Sequence, residues 1–247
     1  MICIRRRFLA TGAASFLGAL LAPFNVHAAR PERIYIQPLG GIAKRRVRLV
    51  QSALATLFGC DVRVLRRRRL PRSAWYKPRR RYRAEKLLAY LEKQLPRDGT
   101  RILGLTDRDI STTNGDIPDW GVLGLANLDA TACVISSYRA KRRSRGRRHT
   151  DERLAKVAVH EIGHTLGLEH CPTVGCLMED ARGKVVTTDR EYDICHKCRA
   201  ELKRRGHRLP KAKMPWPKPA ARKARRRRRG GARTSRPGRP RGSGSRR

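Results

Sequence analysis

Acidic residues are scarce in this chain. It carries 20 Asp and Glu against 59 Lys and Arg, a formal net charge of +39. That balance implies attraction to something anionic: nucleic acid, anionic lipid or an acidic envelope polymer. Charge alone does not choose among them, and an Arg-rich composition without a dedicated partner would read the same way. Apolar residues are also short, at 39% against a globular norm of about 45–50%, with the deficit heaviest at the C-terminus. Internal repeats are absent, so a solenoid is excluded. At 247 residues the chain suits one domain with a real core, or two small ones.

A long unbroken hydrophobic run is missing too. The apolar stretch Phe8 to Phe24 is interrupted by Thr11, Gly12, Ser15, Gly18 and Pro23, and it is short for a membrane span. With Arg5, Arg6 and Arg7 before it and Val26-His27-Ala28 after it, residues 1–28 are expected to be a signal peptide cleaved after Ala28. The alternative is an uncleaved N-terminal anchor. Arg5-Arg6-Arg7-Phe8-Leu9 resembles the twin-arginine export signal, which implies an exported protein, periplasmic or extracellular. Cys3 has no lipobox around it.

Beyond residue 28 the pattern alternates between strand and helix. Ile34 to Pro38 reads as a strand stopped by Leu39-Gly40-Gly41. Ala43 to Phe58 has apolar residues at helical spacing, with Gly59 as its terminator. Val62 to Leu65 is a second strand. Arg66 to Arg81, with Pro71 and Pro78, reads as a loop. A second helix is expected from Tyr82 to Leu95, and strands at Arg101–Leu105, Trp120–Leu128 and Ala132–Ser136. This order predicts an α+β fold whose N-terminal part is α/β-like, a sheet with crossover helices.

What the chain does have, in excess, is metal-ligand chemistry between His160 and Cys198. Thr150, Asp151 and Glu152 look like a helix start, so a helix is expected from about 151 to 166. His160 and His164 then project from one face at i and i+4, a spacing that lets both imidazoles reach one Zn²⁺. Glu161, beside the first ligand, is placed to take a proton from a water rather than to bind metal. Gly167 can adopt the left-handed conformation that ends the helix and returns His170 as a third ligand. Three protein ligands leave a fourth position open, as in catalytic sites.

The cysteines form a second cluster. Cys171-x4-Cys176 and Cys195-x2-Cys198 have the spacing of a four-thiolate zinc site, closed and structural. Two disulfides in an exported chain are the competing reading; matched C-x-x-C-type pairs are the stronger signal for zinc. Cys60 and Cys133 read as buried apolar residues, or as a disulfide pair.

The stretch from His160 to Cys198 resembles the archaemetzincins, zinc metallopeptidases within the metzincins. It joins H-E-x-x-H-x-x-G-x-x-H to Cys171, Cys176-Leu177-Met178 and Cys195-His196-Lys197-Cys198 in the family's order. Weaker landmarks are Ile36 to Gly40, Gly104 to Asp107, Gly124 to Ala126 and Ser136 to Arg139, so the resemblance spans roughly residues 33–205. It implies a metzincin-like mixed twisted sheet with an active-site helix and a small C-terminal zinc-stabilised subdomain. It implies catalytic zinc on His160, His164 and His170, Glu161 as base, and structural zinc on Cys171, Cys176, Cys195 and Cys198. Met178 would be the Met-turn residue beneath the catalytic metal, though an ordinary core methionine would look the same. Gly121 to Leu128 is the expected substrate-pairing edge strand. Tyr192 is expected either to approach the metal or to pack.

A helix from about Asp189 to Arg205 should carry the last two cysteines, with Gly206 ending it. Residues 29–206 are then the catalytic domain and 207–247 an Arg-rich tail expected to be disordered. From Lys211 on, the tail holds sixteen Lys or Arg and no acid. It reads as a tether to nucleic acid or an anionic envelope polymer, or as a solvated tail with no partner. The function expected is an exported zinc-dependent metallopeptidase acting on peptide or protein substrates, with two Zn²⁺ per chain. The alternative is a non-catalytic zinc-stabilised module that binds polyanions. Oligomeric state and substrate identity are not encoded in any motif.

Overall fold

The computed structural model describes residues 32–219. The expected signal peptide, with Arg5, Arg6, Arg7 and Cys3, lies outside the described residues, as does the tail from residue 220.

The chain opens with β1 (Arg33–Leu39), α1 (Lys44–Phe58) and β2 (Asp61–Val64). Gly59 ends α1 at φ 63° with its N–H donating to Ala55 O, as a left-handed terminator does. Two short strands, β3 (Trp75–Tyr76) and β4 (Arg81–Arg83), lead into α2 (Ala84–Glu92). Then come β5 (Arg101–Thr106), β6 (Ile110–Asn114), β7 (Ile117–Val122), β8 (Gly124–Ala126) and β9 (Ala132–Ser136). The short α3 (Ser137–Ala140), the long α4 (Arg147–Thr165) and α5 (His196–Arg204) complete the order.

The main sheet runs β2-β1-β5-β9-β8. Its first four strands are parallel, and β8 joins β9 antiparallel at the edge. Strand alternation divides the core between its faces. Ile34, Ile36, Leu103, Leu105, Cys133 and Ile135 face α1 and α4, while Tyr35, Ile102, Ala132 and Val134 face α2. Gly104 on β5 lets α2 pack close against the sheet: a Cβ there would meet Leu91 Cδ1 at 2.6 Å. A second, four-stranded sheet, β3-β4-β6-β7, stands beside it.

Several sequence expectations are corrected. The helix expected from 151 to 166 starts at Arg147, after Gly146. Thr150 therefore does not cap it; its hydroxyl donates within the first turn, near Ser144 Oγ and Gly146 O. The early start follows from tertiary contacts: His149 and Arg153 both bond the Asp189 carboxylate. The strand expected over Trp120–Leu128 is two strands in two sheets, because the chain changes sheets at Leu123, whose carbonyl accepts from Ser136 N. Tyr82 belongs to β4, not to a helix, and the supposed loop 66–81 contains β3. The helix expected from Asp189 begins only at His196. Residues before it are drawn into extended pairing instead, Tyr192 N bonding Gly175 O and Leu177 N bonding Asp193 O.

The domain also continues past Gly206. Met214 and Trp216 are buried in the main core, and Trp216 Nε1 donates to Tyr192 O at 2.8 Å. Within the described residues, the start of the basic tail is thus a strap packed on the body. Across the described residues, no helix is long and apolar enough to cross a membrane.

Candidate active site and metal centres

The site is built on the C-terminal half of α4. His160 and His164 lie one turn apart, with their Nε2 atoms 2.9 Å from each other. Each ring is held by its other nitrogen. His160 Nδ1 donates to Leu177 O and His164 Nδ1 to Leu168 O, both at 2.7 Å. This fixes the tautomer and leaves both Nε2 lone pairs facing one point. Burial lowers the His160 pKa to about 3, helped by the neighbouring His164. Burial likewise lowers that of His164. Both rings are therefore neutral, the state that binds a cation.

Gly167 has φ 84° and its N–H donates to His164 O, so the chain turns where expected. The turn returns exposed His170, and the three donor nitrogens lie within 4.8 Å of one another. Two near-touching neutral acceptors and a third beside them are a poor arrangement by themselves. They fit a shared divalent cation, and three imidazoles with an open fourth side suit zinc.

Glu161, beside His160, lines the cleft. It is 7% exposed, and burial alone raises its pKa to about 8. Gly124, on edge strand β8, lies directly against it. A Cβ on Gly124 would sit 2.5 Å from Glu161 Oε1. Met178 is fully buried beneath Gly163, where a Cβ would meet its sulfur at 2.5 Å. The absence of a side chain at Gly163 is what lets Met178 pack under α4 between the two histidines. From sequence Gly124 was legible only as part of a family landmark and of the expected edge strand, and Gly163 not at all; their contacts with Glu161 and Met178 appear only in the three-dimensional fold.

The cysteines converge as a separate group. All four sulfurs lie within 4.8 Å of one another. Cys171 and Cys195 Sγ are 3.7 Å apart, and Cys176 and Cys198 Sγ 3.9 Å. Disulfide sulfurs sit at about 2.03–2.05 Å, so these are thiols, and Cys60 and Cys133 are unpaired as well. The spacing instead matches the edge of a tetrahedron with Zn–S of about 2.3 Å, which is about 3.8 Å. The Cys198 thiol, with the backbone N–H groups of Cys195 and Met178, holds the Cys176 thiol below its ordinary pKa against the opposing effect of burial. The donor set thus favours at least one thiolate.

A cleft of about 1000 Å³ runs past His160, Glu161 and His170. It is lined by Trp120 to Leu125, by Val157, His160 and Glu161 of α4, by His170, and by residues between Glu179 and Glu191. Tyr192 is not among its lining; it packs on the core beneath Lys218, its carbonyl holding Trp216. The expected edge strand is met by β8 on the cleft wall, while Gly121 and Val122 belong to β7 of the second sheet.

A family model described as Peptidase family M54 matches residues 45–204. Archaemetzincin of Halobacterium salinarum is 31% identical over 173 residues, covering 67% of this chain and 96% of that protein. Archaemetzincin of Methanocaldococcus jannaschii is 29% identical, covering 70% and 94%. Among solved structures, archaemetzincin from Archaeoglobus fulgidus, complexed with malonate, superposes with a TM-score of 0.58 at 32% identity, over 69% of this chain and 99% of that one. The protein from Methanopyrus kandleri gives 0.61 at 26% identity, over 74% and 99%. With most of the domain matched by the family model and nearly the whole length of each relative covered, the chain belongs to peptidase family M54, the archaemetzincins, and is a zinc metallopeptidase.

Proposed function

We propose that His160, His164 and His170 hold the catalytic zinc, that Glu161 is the general base, and that Cys171, Cys176, Cys195 and Cys198 hold a second, structural zinc. The observation that supports this most is the pair of facing Nε2 atoms, 2.9 Å apart and each locked by a carbonyl behind its ring. Bound zinc supplies a Lewis acid that polarises the scissile carbonyl and makes water acidic enough to attack near neutral pH. The protein's own residues do the rest. Glu161 Oε accepts the proton of the attacking water and returns it to the leaving amine nitrogen. Gly124 leaves room for that carboxylate, and β8 offers unpaired backbone groups along the cleft for an extended peptide. Met178 supports α4 from below as the Met-turn residue.

The test is metal content and turnover together. Glu161→Gln is expected to keep both zinc ions and to lose about 10²–10⁴-fold in kcat/KM on a peptide library. His164→Ala and Cys195→Ser should each lose one zinc. One zinc in the parent chain, or undiminished hydrolysis in Glu161→Gln, would overturn the assignment. Salt-sensitive polyanion binding with no turnover on any peptide would favour the non-catalytic module instead.

Export belongs to the same proposal and rests on the sequence of residues 1–28 alone. Expression with its native N-terminus in a bacterial host should give a periplasmic or secreted form beginning at Ala29, read by mass spectrometry. A cytoplasmic product retaining Met1 would refute it.

A further inference from the structure

Net charge argues that this protein attracts acidic peptides. The cleft argues the reverse. Six of the chain's 20 acids, Glu85, Glu92, Glu161, Glu179, Asp180 and Glu191, line it, against Arg139, Arg142 and Arg182. Of those cations, Arg139 is already engaged, bidentate to Asp109.

Three of these acids, Glu161, Glu179 and Glu191, are buried, and Glu161 already has a role in the proposed reaction. Glu179 is paired with Arg190 and accepts from Gly175 N. Glu191 is 2% exposed, yet among the described residues it has no hydrogen-bond partner and no ion pair within 4.0 Å. The cation that acts on it most, buried Lys156, is bonded elsewhere, to Glu152 at 2.7 Å and Thr188 O at 3.0 Å. A carboxylate in that setting is costly to keep unless something pairs with it. It lines the same cleft as Val185, Thr188 and Val157, the last of which precedes His160 by three on α4. Burial first, and the neighbouring Glu179 as well, raise its pKa to about 8 despite Lys156.

We propose that Glu191 forms the base of a side-chain subsite that selects a lysine or arginine residue of the peptide substrate. The apolar stem of such a residue would lie along Val157 and Val185, and its cation would supply the partner that Glu191 lacks. Bulk charge opposes this only weakly within the cleft, because at physiological salt the screening length is about 8 Å and six acids line the cleft against three arginines. The inference rests on the peptidase reading of the site, so its test has one arm that needs no turnover.

In the first arm, the zinc-loaded full chain is given hexapeptides in which one lysine is scanned through each position, with norleucine peptides as controls. Lysine at one fixed position relative to the cleaved bond should raise kcat/KM about tenfold or more. Glu191→Gln should abolish that ratio, and Glu191→Asp should keep part of it. In the second arm, fluorescence anisotropy measures binding of the same labelled peptides to the Glu161→Gln chain, with and without Glu191→Gln. A lysine preference in binding that disappears with Glu191→Gln supports the subsite even if no peptide is cleaved, and absent cleavage would then count against the peptidase assignment alone. Equal binding of lysine and norleucine peptides by the parent, or a preference that survives Glu191→Gln, overturns the subsite.

Discussion

Gly124 has no functional atom, yet the position of the Glu161 carboxylate depends on it. Any side chain there starts 2.5 Å from Glu161 Oε1, and neither β8 nor α4 can retreat without disturbing the main core. Gly124→Val should therefore displace Glu161 rather than unfold the domain. The expected outcome is full zinc content with kcat/KM lowered by about 10²-fold, since a small misplacement of a proton-transfer group costs on that order. Elemental analysis beside peptide kinetics checks it; unaltered kinetics would show that the close approach does not matter. The residue scale is also where sequence and structure diverge most clearly. His160, Glu161, His164 and His170 were legible because one helix and one glycine turn set their spacing. Gly163 and Glu191 were not, and Gly124 was legible as a landmark but not for its contact with Glu161, because each matters through contacts with residues far away in the chain.

At the scale of elements, α4 explains another gap in legibility. Its buried residues include His149, Asp151, Arg153 and Lys156, so it is buried nearly all round with polar side chains inside. Hydrophobic periodicity cannot find the start of such a helix. What holds that end is the Asp189 carboxylate, bonded by Arg153 through both Nε and Nη2 and by His149. Burial alone would raise the Asp189 pKa, but the Arg153 and His149 bonds outweigh it and leave it lowered. A lowered folded-state pKa means the stabilisation is present above the unfolded value of about 3.9. It is lost as pH falls through the folded value. Asp189→Asn should cost about 2 kcal/mol at pH 7, below the figure for fully buried pairs because Asp189 is 23% exposed. The gap between parent and variant should stay constant down to about pH 5 and close below about pH 4, as followed by thermal melts. A gap that widens on acidification would reverse the assignment.

The strap is the element that composition concealed. A segment rich in Lys and Pro looks solvated, but Met214 is 5% exposed and Trp216 6%. Two large apolar residues suffice to dock it, with the Trp216 indole N–H satisfied by Tyr192 O and Lys156 Nζ 5.9 Å from the ring centroid. Trp216→Ala should destabilise the domain by about 3 kcal/mol, within the usual range for deleting a core aromatic. The urea midpoint should fall with little change in slope. A midpoint within error of the parent would show that the strap contributes nothing to stability.

Across the whole molecule, the few acids are spent locally. Asp151 pairs with Arg45 and Arg46, Asp109 with Arg81 and Arg139, Asp189 with Arg153, and the cleft holds six more. The fold class was legible because strand and helix alternation survives this charge. The distribution of charge was not, since only the folded arrangement separates a carboxylate-lined cleft from a cationic exterior. With a net charge of +39 the compact state repels itself. Salt acts on this balance in two directions. It weakens exposed ion pairs, each worth about 0–1 kcal/mol, and it screens the much larger excess of unpaired cations, with a Debye length of about 30 Å at 0.01 M and 10 Å at 0.1 M. The second effect should win. Tm is expected to rise as NaCl increases from about 0.02 to 0.5 M, opposite to a protein held by surface ion pairs. Shortening the chain after Pro219 removes basic residues and no acid, so the rise should become smaller in the shortened protein. A Tm that falls with salt in both would mean that the local pairs, not the overall charge, govern stability.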